Sequence, residues 1–190
     1  MANFPEIQTK LREEIASQIG ERIPVQNDKN NCHYVSAFIN EVLRFRNAAP
    51  AGIYHSMMNA SQIGEHQIGK DAILFFHQGF IMNDPKHWTN PELFNPNRFL
   101  DSEGKMLANK NPAFIPFGIG RRSCPGEKLA MADLFLILVR ILQQTEGYSF
   151  ALPNGALSGD LQSDPNEPPI VSVPKHYQLI LQKVENNSFV

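Results

Sequence analysis

No apolar run in this 190-residue chain is long enough to cross a bilayer. The longest, Leu134 to Val139, is a fraction of the roughly 20 residues that a spanning helix needs. Cysteine is scarce: Cys32 and Cys124 are the only two, too few for a disulfide framework, and a reducing compartment is the simpler reading. The six histidines show no zinc-binding spacing, and no Cys-x-x-Cys-His occurs. An excess of one charge is also missing. The 17 lysines and arginines against 19 aspartates and glutamates leave a formal net charge of -2, which gives no hold for nucleic acid. Internal repeats, low-complexity segments and Gly/Ser-rich linkers are lacking, so the length and a 42% hydrophobic content describe one sizeable globular domain. Met1 to Glu6 carry neither the basic flank nor the apolar stretch of a signal peptide. The sequons at Asn59 and Asn186 are therefore read as chance, and Cys32 as incidental.

What the chain does contain is clear helical spacing at both ends. Ile7, Leu11, Ile15 and Ile19 recur every four residues from Pro5, and Gly20 ends the run. Tyr34, Phe38, Val42 and Phe45, with Ile39 and Leu43 beside them, predict a second helix, ended by Pro50 and Gly52. Short apolar segments around Gly64, Gly69 and Gly79 predict small strands and turns from Ile53 to Phe76. Asp84 to Phe99 holds Pro85, Pro91 and Pro96 among aromatic residues and reads as a long ordered coil, a kind usually functional in compact proteins. The stretch from Leu129 to Leu142 is apolar nearly all round, which predicts a buried helix ending near Gly147. Ile170 to Val173 and Tyr177 to Leu181 read as terminal strands.

The most informative segment is Phe117-Gly-Ile-Gly-Arg-Arg-Ser-Cys124-Pro-Gly126. It sets one cysteine between glycines, beside two arginines, at the mouth of an apolar helix. Pro125 suits a first helical position and Glu127 a first turn, so Cys124 reads as the helix cap. Helix N-termini and nearby cations favour the thiolate, the form that ligates a metal. Gly120 permits a turn, and Gly126 removes bulk that would hold a flat macrocycle away. Arg122 is placed to pair with a haem propionate, and Phe117 to shield the sulfur from water. An isolated Cys-Pro-Gly is usually plain core, but the five-position spacing Phe-x-x-Gly-x-Arg-x-Cys-x-Gly arises by chance in on the order of one chain in ten thousand.

With this signature the sequence resembles the cytochrome P-450 family, of the eukaryotic microsomal type. The resemblance runs from Pro5-Glu6-Ile7-Gln8 to Pro174-Lys175-His176-Tyr177-Gln178-Leu179 and implies a partial domain over residues 1–190, the C-terminal portion of that fold. The implied fold class is mainly α with small β-sheets (α+β). Cys124 becomes the axial iron ligand of haem b (iron protoporphyrin IX), and His55 a second contact to the haem. Glu41 and Arg44, three apart on one helix face, match the family's Glu-x-x-Arg, and Arg98 in Pro96-Asn97-Arg98-Phe99 matches the third member of a structural ion-pair triad. Ala48, Ala49, Ala51 and Ile53 fall in the segment that lines the family's substrate pocket, and their small aliphatic side chains suit an apolar substrate. Arg121 and Lys128 are candidates for steering an acidic electron donor.

The implied activity is that of a monooxygenase. It inserts one oxygen atom from O2 into an apolar small molecule, with electrons from an NADPH-dependent cytochrome P-450 reductase or a similar electron donor, at the cytosolic face of the endoplasmic reticulum membrane. The family's acid-threonine pair has no counterpart here, since Thr9, Thr89 and Thr145 lie in other contexts. Asn97 stands where glutamate is common, and Ile68-Gly69-Lys70-Asp71 lacks the usual order of its turn. The chain is expected to be an incomplete fragment with little turnover alone. Two alternatives stand beside the monooxygenase: a haem-thiolate isomerase or dehydratase, and a non-catalytic truncated product.

Overall fold

The computed structural model describes residues 1–153 and 171–184. Helix α1 spans Pro5–Gln18, with proline at its start and Glu6 in its first turn, where a negative charge meets the positive helix end. Its four-residue spacing buries Ile7, Leu11 and Ile15, and Ile19 follows on the same side. Gly20 takes φ +66° and donates to the Ile15 carbonyl, closing the helix as the sequence expects. The polar stretch that follows forms a 3-10 turn, Gln26–Asn30.

Helix α2 spans His33–Phe45. Cys32 precedes it and offers no side-chain cap. Instead Glu14 of α1 reaches across, its two carboxylate oxygens accepting from the amides of Tyr34 and Val35 at 2.8 Å each. The end differs from expectation. The helix stops at Phe45, well before Pro50, because the backbone turns out at Arg46 and the Asn47 side chain accepts from Ala49 N–H at 2.7 Å, starting a turn of its own.

Four short strands follow: β1 (His55–Ser56), β2 (Ser61–Ile63), β3 (His66–Ile68) and β4 (Ile73–Leu74). β2 and β3 form a hairpin with Ile63 opposite His66, turned at Gly64, and β1 pairs antiparallel with β4. Asp71, in the unusual turn, holds φ +65°, a left-handed conformation that aspartate tolerates better than most residues. A single-turn helix α3 (Gln78–Ile81), absent from the sequence reading, begins where the His77 ring accepts from Phe80 N–H. The proline-rich coil then runs to a 3-10 turn at Pro96–Phe99, capped by Asn95.

Helix α4 spans Glu127–Gln144 and corrects two expectations. Its N-cap is Gly126, so Cys124 and Pro125 lie in the turn ahead of the helix rather than at the cap and the first helical position. The Pro125-Gly126 pair favours a turn before regular helix begins. Nor is α4 buried all round. Met131, Phe135, Val139 and Leu142 face the core, whereas Leu129 (67%), Ile137 (58%), Leu134 and Ile141 are exposed. Beyond it, β5 (Tyr148–Ala151) pairs antiparallel with β6 (Ile180–Lys183). The second terminal strand thus begins at Ile180, not Tyr177, and Val171–Val173 is not strand; Ile170 and Asn186 lie outside the described residues.

The main core joins the inner faces of α1, α2 and α4. Phe94 from the coil inserts among Phe4, Phe38 and Phe45, so the coil is anchored to the helices by aromatic packing. A second cluster, Ala37, Trp88, Phe99 and Ala113, ties α2 to the segment leading into the cysteine loop. The result is the mixed α+β architecture with small antiparallel sheets that the sequence implied.

Candidate functional site

The structure brings Glu41, Arg44 and Arg98 together. Glu41 and Arg44, three residues apart on α2, share one face, and both side chains are fully buried. They pair through two parallel bonds, Arg44 Nε to Glu41 Oε2 at 2.7 Å and Arg44 Nη2 to Oε1 at 2.9 Å. Oε1 also accepts from Arg98 Nε at 3.1 Å and from Asn95 N–H at 2.9 Å. The remaining Arg44 donors go to the carbonyls of Met82 and Pro91 and to Asn83 Oδ1. Arg98 donates to the carbonyls of Thr89, Asn90 and Leu93. Two guanidinium forks and the carboxylate between them thereby gather Thr89, Asn90, Pro91, Leu93 and Asn95 of a coil whose own backbone bonds are short-range turn bonds.

That coil leads through Phe99 and Ala113 to the cysteine loop. The loop is a sequence of tight turns: Gly118 N–H donates to Ile115, Ser123 N–H to Gly120, and Cys124 N–H to Phe117, at 3.0, 3.2 and 2.8 Å. Gly118 and Gly120 hold φ +76° and +71°, values that nearly any side chain would strain. Gly120 is therefore a conformational glycine, as expected, and Gly118 is a second that sequence reasoning missed; its signal is the Phe-Gly-x-Gly pattern. Gly118 also approaches Gln78 of α3, whose amide nitrogen would lie 3.5 Å from an added Cβ there and 3.3 Å from one at Gly52. Gln78 thus sits between the cysteine loop and the Ala51-Gly52 turn, a link that no spacing in the sequence reveals.

Cys124 is exposed and unpaired, and a Cβ built at Gly126 would stand 3.7 Å from its sulfur, so the glycine keeps the space beside Sγ clear. Arg121 and Arg122 close a 3-10 turn, Gly120–Arg122, and are exposed; Arg122 makes no ion pair among the described residues. Phe117 packs against the main core and offers its carbonyl to the cysteine amide. Among the described residues no group of three or more His, Cys, Asp or Glu could hold a bare metal ion. A single soft donor with open space and a free guanidinium nearby fits an iron that brings its remaining ligands in an acidic macrocycle.

The other expected site residues lie apart from this loop in the chain. His55 is exposed on β1, Ile53 is 73% exposed, and Ala49 and Ala51 are half-buried in the turn after α2. Cys32 is the opposite of Cys124: it is fully buried, and burial with the nearby Glu14 and Asp28 pushes its thiol up to about 12.

The sequence model described as Cytochrome P450 matches residues 1–181, and this chain belongs to that family. It is 38% identical over 181 residues to the steroid 17-alpha-hydroxylase/17,20 lyase of Ictalurus punctatus, covering 95% of this chain and 34% of that protein. It is 39% identical over 163 residues to the protein of the same description from Rana dybowskii, covering 85% and 31%. Trans-cinnamate 4-monooxygenase from Catharanthus roseus is 38% identical over 148 residues, covering 77% and 29%. The chain spans about a third of the length of the curated relatives it matches.

Proposed function

We propose that this chain carries the haem-thiolate centre of a monooxygenase, with Cys124 as the axial iron ligand of haem b. The complete protein would insert one oxygen atom of dioxygen into an apolar organic substrate. The observation that carries the reading is the glycine-flanked loop offering one exposed thiol with clear space beside its sulfur, in a chain of the cytochrome P450 family. When bound, the haem supplies dioxygen activation, and a thiolate ligand pushes electron density that favours cleavage of the oxygen–oxygen bond.

The chain's own residues have distinct tasks in this account. The Phe117 carbonyl fixes the Cys124 backbone, and the Phe117 ring anchors the loop to the helical core. Gly126 leaves room for the macrocycle. The exposed Arg122 guanidinium takes one propionate by a charge-assisted bond, and His55 reaches toward a second. Glu41, Arg44 and Arg98 hold the coil behind the loop and touch no reactant. Ala49, Ala51 and Ile53 face the substrate side. Arg121 and Lys128, both exposed, steer an acidic donor, an NADPH-dependent cytochrome P-450 reductase at the cytosolic face of the endoplasmic reticulum. Two relatives are named as a hydroxylase/lyase and a monooxygenase, which supports oxygen insertion over isomerase chemistry.

The test is product analysis under isotopically labelled dioxygen, using the full-length protein, reductase, NADPH and a panel of apolar substrates. One labelled oxygen atom per product, lost in Cys124→Ala, is the expected result. A rearranged product without label would assign the isomerase chemistry instead.

A further inference from the structure

An open cavity of about 660 Å³ lies between the proline-rich coil and residues 106–112, and Cys124 does not line it. Its size is that of a small-molecule pocket. Trp88, Phe99 and Met106 supply apolar surface, while Arg98 and Lys110 supply positive charge. Among the described residues lining it there is no carboxylate.

The charge there is in surplus. Arg98 and Arg44 share the one carboxylate of Glu41, so the buried cluster behind the cavity wall carries an uncompensated positive charge. Both guanidiniums also lie over the Trp88 ring, at 5.4 and 5.9 Å from its centroid. Trp88 itself is only 4% exposed, yet its Nε1 has no hydrogen-bond partner among the described residues. A buried indole N–H without an acceptor is costly and normally finds a partner. Apolar surface, surplus cation and a lining without a carboxylate together describe one ligand chemistry.

We propose that this cavity binds a small amphipathic organic carboxylate, its apolar body against Phe99 and Met106 and its anionic end toward Lys110 and Arg98, beside the Trp88 ring in the cavity wall. This inference is independent of haem binding at Cys124, because the two sites share no lining residue.

Trp88 is the only tryptophan of the chain, so its indole N–H gives a single resonance in a nitrogen–proton correlation spectrum. The full 190-residue chain would be titrated with dodecanoate below its micelle concentration, and with dodecanol as the uncharged match. Dodecanoate is expected to move the indole resonance saturably, because Trp88 lines the cavity, and dodecanol to leave it in place. Lys110→Glu reverses an exposed charge and should weaken dodecanoate binding about tenfold. Leu107→Asp, which sets a carboxylate at the rim, should abolish the shift. Dispersed spectra of both variants establish that they are folded. An indole resonance that dodecanoate does not move, that both probes move alike, or whose titration is unchanged in Lys110→Glu, would overturn the proposal. Binding on the exposed face of α4 would leave that resonance unmoved and counts against it equally.

Discussion

Cys124 and Cys32 carry the same functional group in opposite surroundings, and their chemistry should separate accordingly. In the native chain, iodoacetamide should modify Cys124 readily and Cys32 only after unfolding, which peptide mass mapping will show. The raised Cys32 thiol also couples to stability. Its proton is held more tightly in the folded chain than in the unfolded one, so its contribution is complete below about pH 9 and is lost as pH rises toward 12. Urea unfolding across pH 8–11 should therefore show a steeper alkaline loss in the native sequence than in Cys32→Ala. Glu41 is the other decisive side chain. Glu41→Gln leaves the buried Arg44 guanidinium and the partly buried Arg98 guanidinium without their anion and should destabilise the fold by about 3–5 kcal/mol, read from denaturant midpoints. The three members of that cluster are legible as a pattern spread across 58 positions, Glu41 to Arg98, but only through family resemblance. By spacing alone Glu41 and Arg44 look like a surface pair. What spacing could not show is that Asn95 N–H and six carbonyl and amide acceptors complete the network.

Among the elements, α1 and α2 were readable because an apolar residue every three or four positions has few other uses. The start of α4 was not. Pro125 is compatible both with a first helical position and with a turn, and the local sequence Cys-Pro-Gly resolves to the turn, moving the cap to Gly126. This places the thiol on a loop shaped by glycine conformation instead of on the helix end. Gly118→Ala should accordingly cost about 1–2 kcal/mol from the positive φ alone, since its Cβ would meet Gln78 at ordinary contact distance. Gly126→Ala has no such strain, since its Cβ would meet the sulfur at ordinary contact distance. The account expects Gly126→Ala to melt like the native chain while binding haem more weakly, and Gly118→Ala to lower both. At α2, the cap comes from Glu14, twenty residues earlier by sequence than the Tyr34 amide it accepts from. Glu14→Ala should cost about 1 kcal/mol in thermal unfolding, an effect no local capping rule at Cys32 would anticipate.

For the molecule as a whole, α4 is the element in which sequence and structure diverge most. Its apolar residues make two faces: Met131, Phe135, Val139 and Leu142 close the core against α1 and α2, while Leu134, Ile137 and Ile141 form an exposed stripe. Periodicity reports that a side chain is apolar, not whether a partner stands against it within this chain. The double variant Leu134→Glu, Ile137→Lys should therefore raise solubility and reduce binding of an apolar dye, while changing unfolding free energy by no more than about 0.5 kcal/mol. The core and the ion-pair cluster do not depend on that stripe, so the cysteine loop has a scaffold to stand on. The central claim is that this scaffold presents Cys124 as a thiolate ligand to haem iron. Its most direct test is the carbon monoxide difference spectrum of the reduced, haem-reconstituted chain, with Cys124→Ala alongside. A strongly red-shifted band in the native chain that vanishes in Cys124→Ala is the predicted result. A haem-containing native chain without that band, or a band that survives in Cys124→Ala, would contradict it.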